Sequence, residues 1–142
     1  ISYLTVHLSS GLSALKTLKK ESKNIKIAGV TTLTSLNNKD LKEIGYNKKV
    51  DELVRHQAKL ATKAKLDAIV CSGHEIRSVK RVFRKEIITP GIKMQNVKND
   101  QKRIMGPADA FDAGSDWLVI GRSITKGNIK KNIKNLLEIL ED

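Results

Sequence analysis

The sequence contains few of the residues that mark secreted or membrane proteins, with one cysteine, two prolines and 4% aromatic residues. Because Cys71 has no second cysteine to pair with, an internal disulfide is excluded and a reducing compartment is indicated. No apolar run approaches the roughly 18 residues of a membrane span, and no charged-then-apolar leader precedes a small-residue cleavage site. We therefore expect one cytoplasmic domain over residues 1–142, without a membrane partner.

The chain carries many more basic than acidic residues, 27 against 15, for a net charge of +12. Such an excess suits nucleic acid, an anionic membrane surface or a phosphorylated small molecule. The basic residues are mostly lysines spread among acidic residues in helical segments, without an arginine-rich block or interleaved aromatic residues. This pattern favours a solvated surface and makes nucleic acid a disfavoured partner. A nucleic-acid-binding protein, or a basic remnant without enzymatic activity, stays the alternative function.

Short apolar runs alternate with amphipathic segments five times, which predicts an α/β fold with parallel strands and right-handed crossovers. The predicted strands cover residues 2–7, 25–31, 68–71, 87–89 and 117–120. The predicted helices cover residues 12–20, 39–44, 50–64, a segment from 72 to about 83, a segment from 107 to Gly114, and 129–140.

A polar turn that contains or adjoins glycine follows nearly every predicted strand, as in SSG, SGHE, TPGIK and GRS, and the second strand leads into TLTS. In a β/α barrel or an open α/β sheet, ligands bind at this edge. A full TIM-type barrel needs eight βα units and about 250 residues, so the five consecutive units predicted here would make only part of one. The chain opens directly in a strand, and we expect it to be the later part of something larger.

The segment Asp116–Thr125 combines a strand, WLVI, with a glycine-containing polar turn. The strand has the length and composition of a buried one. Gly121 allows close backbone approach to a ligand, and Arg122 offers a planar cationic fork for an anion. Ser123 and Thr125 can cap the helix that follows. Backbone amides ahead of a helix, together with this arginine, predict a phosphate-binding site.

The histidines and the cysteine do not predict a metal site. No second histidine or carboxylate recurs at ligand spacing around His7, His56 or His74, so we expect no metal and no cofactor. A free cysteine at the end of a strand, as at Cys71, is more often a buried small hydrophobe than a nucleophile.

Five motifs together resemble the orotidine 5'-phosphate decarboxylase family. They are VHLSSG at 6–11, AGVTTLTSL at 28–36, DAIVCSGHE at 67–75, ITPGIK at 88–93, and DQKRIMGPADAFDAGSDWLVIGRSIT at 100–125. The combination of TPGI, DQ-x-R and VIGR is the most specific part. The resemblance implies a β/α barrel, usually a homodimer, that converts orotidine monophosphate to uridine monophosphate and carbon dioxide in pyrimidine biosynthesis.

The resemblance also implies a set of substrate-binding residues. It places Thr34 near the pyrimidine, and it places Gln101, Arg122 and the Gly121 amide near the phosphate. Lys93 stands where the family usually has arginine. Lysine keeps the charge but loses bidentate geometry, so we expect weaker phosphate binding there. The implied ligand is a nucleotide monophosphate.

The family's catalytic array is missing from this chain. Its Asp-x-Lys-x-x-Asp signature belongs to the third strand, whereas the first strand here matches the fourth. The chemistry needs an ammonium group held among carboxylates in a closed site. We therefore assign no catalytic residue, and we expect an N-terminally truncated form that is inactive alone. Its open sheet edges favour a homo-oligomer or a complementing N-terminal fragment.

Overall fold

The computed structural model describes residues 1–94 and 105–141. Strands and helices alternate within these ranges in the predicted order. The strands are β1 (Tyr3–His7), β2 (Lys26–Val30), β3 (Ala68–Val70), β4 (Glu86–Pro90) and β5 (Trp117–Val119). The helices are α1 (Leu12–Glu21), α2 (Asn38–Glu43), α3 (Val50–Lys63), α4 (Ile76–Lys80), α5 (Pro107–Ala113), α6 (Arg122–Thr125) and α7 (Ile129–Glu141). Short 3-10 turns at Leu8–Ser10 and Gly73–Glu75 follow β1 and β3.

All five strands are parallel and lie in chain order, β1-β2-β3-β4-β5. The helices contact one another in the same sequence, α1 with α3, α3 with α4, and α4 with α5. Parallel strands in chain order with successive helices beside one another are typical of a stretch of β/α barrel. The predicted α/β class and five βα units are confirmed.

The hydrophobic core lies between the sheet and its helices. It contains fully buried strand residues such as Ile27, Ile69 and Ile87, and buried helix residues such as Leu15 and Ala58. The segments at Leu8 and Leu66 pack closely against β2, and a Cβ built on Gly29 would lie 2.6 Å from Leu8 Cδ2 and 2.9 Å from Leu66 Cδ1. A larger side chain at this point in the sheet would displace the core.

Two aspartates tie neighbouring strands together by the same device. Asp67 precedes β3, and its Oδ2 accepts hydrogen bonds from Ile27 N at 2.8 Å and from Lys19 Nζ at 2.5 Å. Asp116 precedes β5, and its Oδ2 accepts a hydrogen bond from Ile87 N at 2.8 Å. Burial opposes ionisation of Asp67, but these hydrogen bonds outweigh it and lower its pKa.

The sequence-based prediction of a buried fifth strand is wrong for one face. Trp117 is 54% exposed and Val119 is 50% exposed. β5 is an edge strand among the described residues, and these two side chains lie on the sheet face opposite the helices, where they stay about half exposed. The closing helix leaves a further apolar face exposed, made of Ile129, Ile133, Leu137 and Leu140. Edges and faces of this kind favour association with another chain.

The start of the closing helix, α7, also differs from the prediction. Ser123 and Thr125 lie within α6, which begins after Gly121, so neither caps the closing helix. The N-terminal cap of α7 is Asn128, whose Oδ1 accepts a hydrogen bond from Lys131 N at 3.0 Å.

None of the helices in the described part of the chain is long and apolar enough to cross a membrane.

A carboxylate on the face of the sheet away from the helices connects four of the five strands. Glu86 of β4 accepts hydrogen bonds from Tyr3 Oη of β1, Lys26 Nζ of β2, and Trp117 Nε1 of β5. The two edge strands therefore share one acceptor, which holds the sheet in a curve. The hydrogen bonds from Lys26 and Tyr3 lower the pKa of Glu86 from its ordinary 4.5.

We expect Glu86→Gln to reduce the free energy of unfolding at neutral pH by about 1 kcal/mol, because a charge-assisted acceptor becomes a neutral one in a partly exposed site. A carboxyl group with a lowered folded pKa stabilises the fold above its unfolded pKa and loses that contribution as the pH falls. Urea denaturation between neutral pH and about pH 3 should therefore show a flatter pH dependence in the variant. Glu138→Gln, in the exposed Lys134 pair, is the matched control. Equal pH profiles for both variants would contradict this role of Glu86.

Candidate functional site

A cavity of about 580 Å³ opens at the carboxyl ends of the strands, where the polar turns were predicted to bind a ligand. Segments that follow β2, β3 and β4, together with the start of α3, form its walls. The lining residues are Thr34, Leu36, Asn37, Asn38, Val50, Asp51, Ser72–Glu75, Pro90–Ile92 and Met105.

Thr34 lies in the wall of this cavity, on the segment between β2 and α2. The base of that segment is held to β3, because Thr31 N and Thr31 Oγ1 both donate to Val70 O, at 3.1 and 3.0 Å. Its far end is held by the cap of α2, where Asn37 Oδ1 accepts from Lys39 N at 2.8 Å. Thr34 is exposed between these two anchors and presents a hydroxyl to the cavity.

The segment after β3 forms a second wall and is internally capped. Ser72 N donates to Glu75 Oε2 at 3.2 Å, and the Ser72 side chain accepts from the Glu75 backbone in return. Burial raises the pKa of the Glu75 carboxyl above 4.5, although the hydrogen bonds with Ser72 oppose the shift. Cys71 is buried, and burial raises the pKa of its thiol to about 12. The prediction that Cys71 is buried among apolar residues is confirmed, because it lies in the hydrophobic core.

The segment after β4 carries the TPGIK motif along the cavity rim. Gly91 has φ +78°, a left-handed conformation that glycine adopts without strain. Ile92 turns inward and is buried, whereas Lys93 is exposed. Lys93 N donates to Met105 O at 3.4 Å, which joins the segment to the chain on the other side of residues 95–104. Lys93 therefore stands just beyond the residues that line the cavity.

Gly121 and Arg122 lie at the same sheet edge, one strand further along. The register pairs Pro90 with Val119, so the segments that leave β4 and β5 start side by side. Arg122 is exposed at the first position of α6, and Gly121 precedes it. A Cβ built on Gly121 would meet no atom within 4 Å, so packing does not demand glycine there. The open space leaves the backbone accessible to a ligand.

The predicted residues thus fall into three groups. Thr34 lines the cavity, and Lys93 adjoins it. Gly121 and Arg122 share its edge of the sheet but do not line it. Gln101 lies outside the described residues.

Several cavity residues were not named individually from the sequence. Ser72 and Glu75 belong to SGHE, a turn that was predicted at the ligand-binding edge, and their S-x-x-E spacing is that of a capping box. Asp51 follows the start of α3 and carries no comparable signal.

Charge is distributed unevenly around the cavity. The carboxylates of Asp51 and Glu75 belong to the walls formed by α3 and the β3 segment. The cationic side chains of Lys93 and Arg122 stand on the side of β4 and β5. An anionic group is repelled by the first side and attracted to the second. No group of three metal-ligating side chains occurs within residues 1–94 and 105–141.

A second cavity of about 160 Å³ lies on the other side of the β2–α2 segment. It is open to solvent, and its lining consists mainly of leucine, isoleucine and threonine residues, together with His7, Tyr46 and Gln57. Leu36 contributes to both cavities.

The chain matches the family model described as "Orotidine 5'-phosphate decarboxylase / HUMPS family" over residues 1–134. It is 40% identical over 147 residues to an orotidine 5'-phosphate decarboxylase of Wolbachia pipientis subsp. Culex pipiens (strain wPip), covering 100% of this chain and 65% of the relative. It is also 40% identical over 132 residues to one of Coxiella burnetii (strain RSA 331 / Henzerling II), covering 87% of this chain and 56% of the relative. The chain therefore spans less than two thirds of the length of these relatives.

The fold is similar to a solved orotidine 5'-phosphate decarboxylase from Lactobacillus acidophilus. The two share 25% sequence identity at a TM-score of 0.83, over 100% of this chain and 64% of the other. The five βα units thus superimpose on part of a larger structure.

Proposed function

Because the chain belongs to the orotidine 5'-phosphate decarboxylase / HUMPS family, we propose that it forms the nucleotide-binding part of an orotidine 5'-phosphate decarboxylase. The observation that carries the proposal is the cavity at the carboxyl ends of β2–β4, with Thr34 in its wall and the cationic residues beside it. The relatives that are 40% identical carry the decarboxylase name, which favours this branch of the family.

The charge distribution supports one orientation of the nucleotide. The phosphate lies toward the side of β4 and β5, where Arg122 and Lys93 provide positive charge and Gly121 provides an accessible backbone amide. The pyrimidine lies toward Thr34, whose hydroxyl can donate to or accept from a base edge. The carboxylates of Asp51 and Glu75 stay away from the phosphate in this orientation.

The proposed reaction breaks the bond between C6 of orotidine monophosphate and its carboxylate, which leaves as carbon dioxide. The electron pair stays on C6 and takes a proton, giving uridine monophosphate. Proton donation at this point needs a cationic acid held in a closed site. No lysine lines the cavity in the part of the chain that the structure describes. We propose that an amino-terminal polypeptide brings the catalytic lysine and aspartates.

The same polypeptide is the partner that we propose for the open surfaces of the chain. Within residues 1–94 and 105–141, no strand pairs with the outer side of β1 or β5, and Trp117 and Val119 leave apolar surface on the open face of the sheet. Further βα units between β5 and β1 would pair both edges and cover this face. Without them, these surfaces favour pairing between two copies of the chain.

The basic surface does not single out a nucleic-acid interface. Exposed lysines and arginines occur on α1, α3, α4 and α7, which lie around the outside of the sheet. Examples are Lys16, Lys20, Lys59, Lys63, Arg77, Lys130 and Lys134. A spread of this kind favours a solvated surface. We propose the cytoplasm as the place of action, where the lone Cys71 stays reduced.

Calorimetric titration of the chain with uridine monophosphate and with uridine tests the proposal. We expect saturable binding of uridine monophosphate, and a Kd for uridine that is higher by at least about 30-fold, because the charge-assisted contacts to the phosphate are lost. Raising the salt concentration should reduce the difference between the two Kd values, because salt screens the attraction between the phosphate and the cationic side chains. Equal affinity for the two ligands, or no heat with either, would contradict the proposed nucleotide site.

A further inference from the structure

The segment between β2 and α2, residues 31–36, separates the two cavities. The larger cavity touches it at Thr34 and Leu36, and the smaller one lies behind it, between the segment and helices α2 and α3. This hollow of about 160 Å³ is open to solvent, and its lining residues Leu33 and Ile44 are 50% and 58% exposed, so the segment lacks close packing on that side. Packing alone therefore does not fix the position of Thr34.

One side chain behind the segment provides a specific attachment. Gln57 Oε1 accepts a hydrogen bond from Thr32 N at 2.8 Å and another from Thr32 Oγ1 at 3.1 Å. A backbone N–H can only donate, so the amide atom that faces it is the oxygen. Gln57 is 6% exposed and lies in the middle of α3. Both hydrogen-bond donors of Thr32 are thus held by one atom of the helix.

Gln57 is an unusual residue for its position. The other buried residues of α3 are apolar: Leu53, Val54, Ala58 and Ala61. Burying an amide among such residues is unfavourable unless its hydrogen bonds are made. The two hydrogen bonds from Thr32 satisfy the side-chain carbonyl oxygen of Gln57. A residue without an acceptor at position 57 would leave both donors of Thr32 without this partner, so the attachment of the segment depends on that oxygen.

We propose that Gln57 is a positioning residue for nucleotide binding, which holds Thr32 and thereby sets Thr34 in the wall of the larger cavity. This inference rests on the proposed function. Gln57 acts through the segment at residues 31–36, which faces the base, and not through the β4 and β5 segments, which face the phosphate. Its loss should therefore weaken binding of the whole nucleotide and leave binding of a sugar phosphate unchanged.

Three variants separate this role from a general effect on stability. Gln57→Met has a similar size and removes the oxygen acceptor, whereas Gln57→Glu keeps one. Thr62→Val is the matched control, because Thr62 Oγ1 lies on the same helix and donates to Val82 O at 2.6 Å, away from both cavities. The ligands are uridine monophosphate and ribose 5-phosphate. Hydrogen exchange of the Leu36 amide, which donates to Leu33 O within the segment, reports the order of the segment without any ligand.

We expect Gln57→Met to raise the Kd for uridine monophosphate by about 5- to 20-fold, to leave the Kd for ribose 5-phosphate unchanged, and to speed exchange at Leu36. Gln57→Glu keeps the acceptor but buries a charge, so it should retain more affinity than Gln57→Met, and Thr62→Val should behave like the unmodified chain. Normal uridine monophosphate binding and normal Leu36 exchange in Gln57→Met would overturn the inference alone. Equal weakening of both ligands would also overturn it. Failure of the unmodified chain to bind uridine monophosphate would instead overturn the proposed function.

Discussion

Replacing Arg122 by alanine is expected to raise the Kd for uridine monophosphate about 100-fold, which corresponds to about 2.7 kcal/mol. The guanidinium is permanently charged and can make two parallel hydrogen bonds to a phosphate, which are stronger than neutral ones. It stands at the start of α6, directly after the accessible backbone of Gly121. Arg122→Lys keeps the positive charge but cannot make two parallel hydrogen bonds to the phosphate, so its Kd should lie between those of the unmodified chain and Arg122→Ala. Calorimetry with uridine monophosphate measures all three proteins.

The matched control for this prediction is Arg84→Ala. Arg84 is exposed and lies shortly before β4, at the amino ends of the strands and so at the opposite edge of the sheet. Its replacement changes the net charge by the same amount, so it separates a local contact from a general electrostatic effect. Similar losses of affinity in both variants would refute a phosphate site at Arg122.

Much of the fold could be predicted because its signals are local. The α2 cap at Asn37, the proline at the start of α5 and the left-handed Gly114 at its end are each decided by a few adjacent residues. The exposure of Trp117 and Val119 could not be predicted in this way. It depends on what covers the open face of the sheet, and the composition of the strand says nothing of that.

The residues of the candidate site also divide into those that could be predicted from the sequence and those that could not. Arg122 was predicted from the polar turn that follows a strand and also from the resemblance, whereas Thr34 and Lys93 were predicted from the resemblance alone. Gln57 was not predicted, because a glutamine in a helix gives no sign of its partner 25 positions away in another segment. Contacts of that kind follow from the packing of α3 against the β2 segment, which only the folded chain shows.

The largest effect is expected from combining the chain with an amino-terminal polypeptide. The chain alone should release no carbon dioxide from orotidine monophosphate above the uncatalysed rate, because no lysine among the described residues lines its cavity to donate the proton. Adding the amino-terminal part of the Wolbachia relative should restore release by several orders of magnitude, since electrostatic and proton-transfer groups each contribute factors of about 100 or more. The polypeptide would pair with β1 and β5 and cover Trp117 and Val119.

Two controls make this result specific. The same polypeptide with the lysine of its Asp-x-Lys-x-x-Asp signature replaced by alanine should assemble with the chain and release no carbon dioxide. The unmodified polypeptide mixed with Arg122→Ala should release carbon dioxide with a much higher KM, because substrate binding then lacks the contact to the phosphate. Together these controls assign the chemistry to one polypeptide and the phosphate site to the other.

The decisive measurement is carbon dioxide release from labelled orotidine monophosphate by the chain alone, by the amino-terminal polypeptide alone, and by their mixture. If the chain is the nucleotide-binding part and the amino-terminal polypeptide brings the catalytic array, we expect carbon dioxide release only from the mixture. Release by the chain alone, or no release from an assembled mixture, would contradict it.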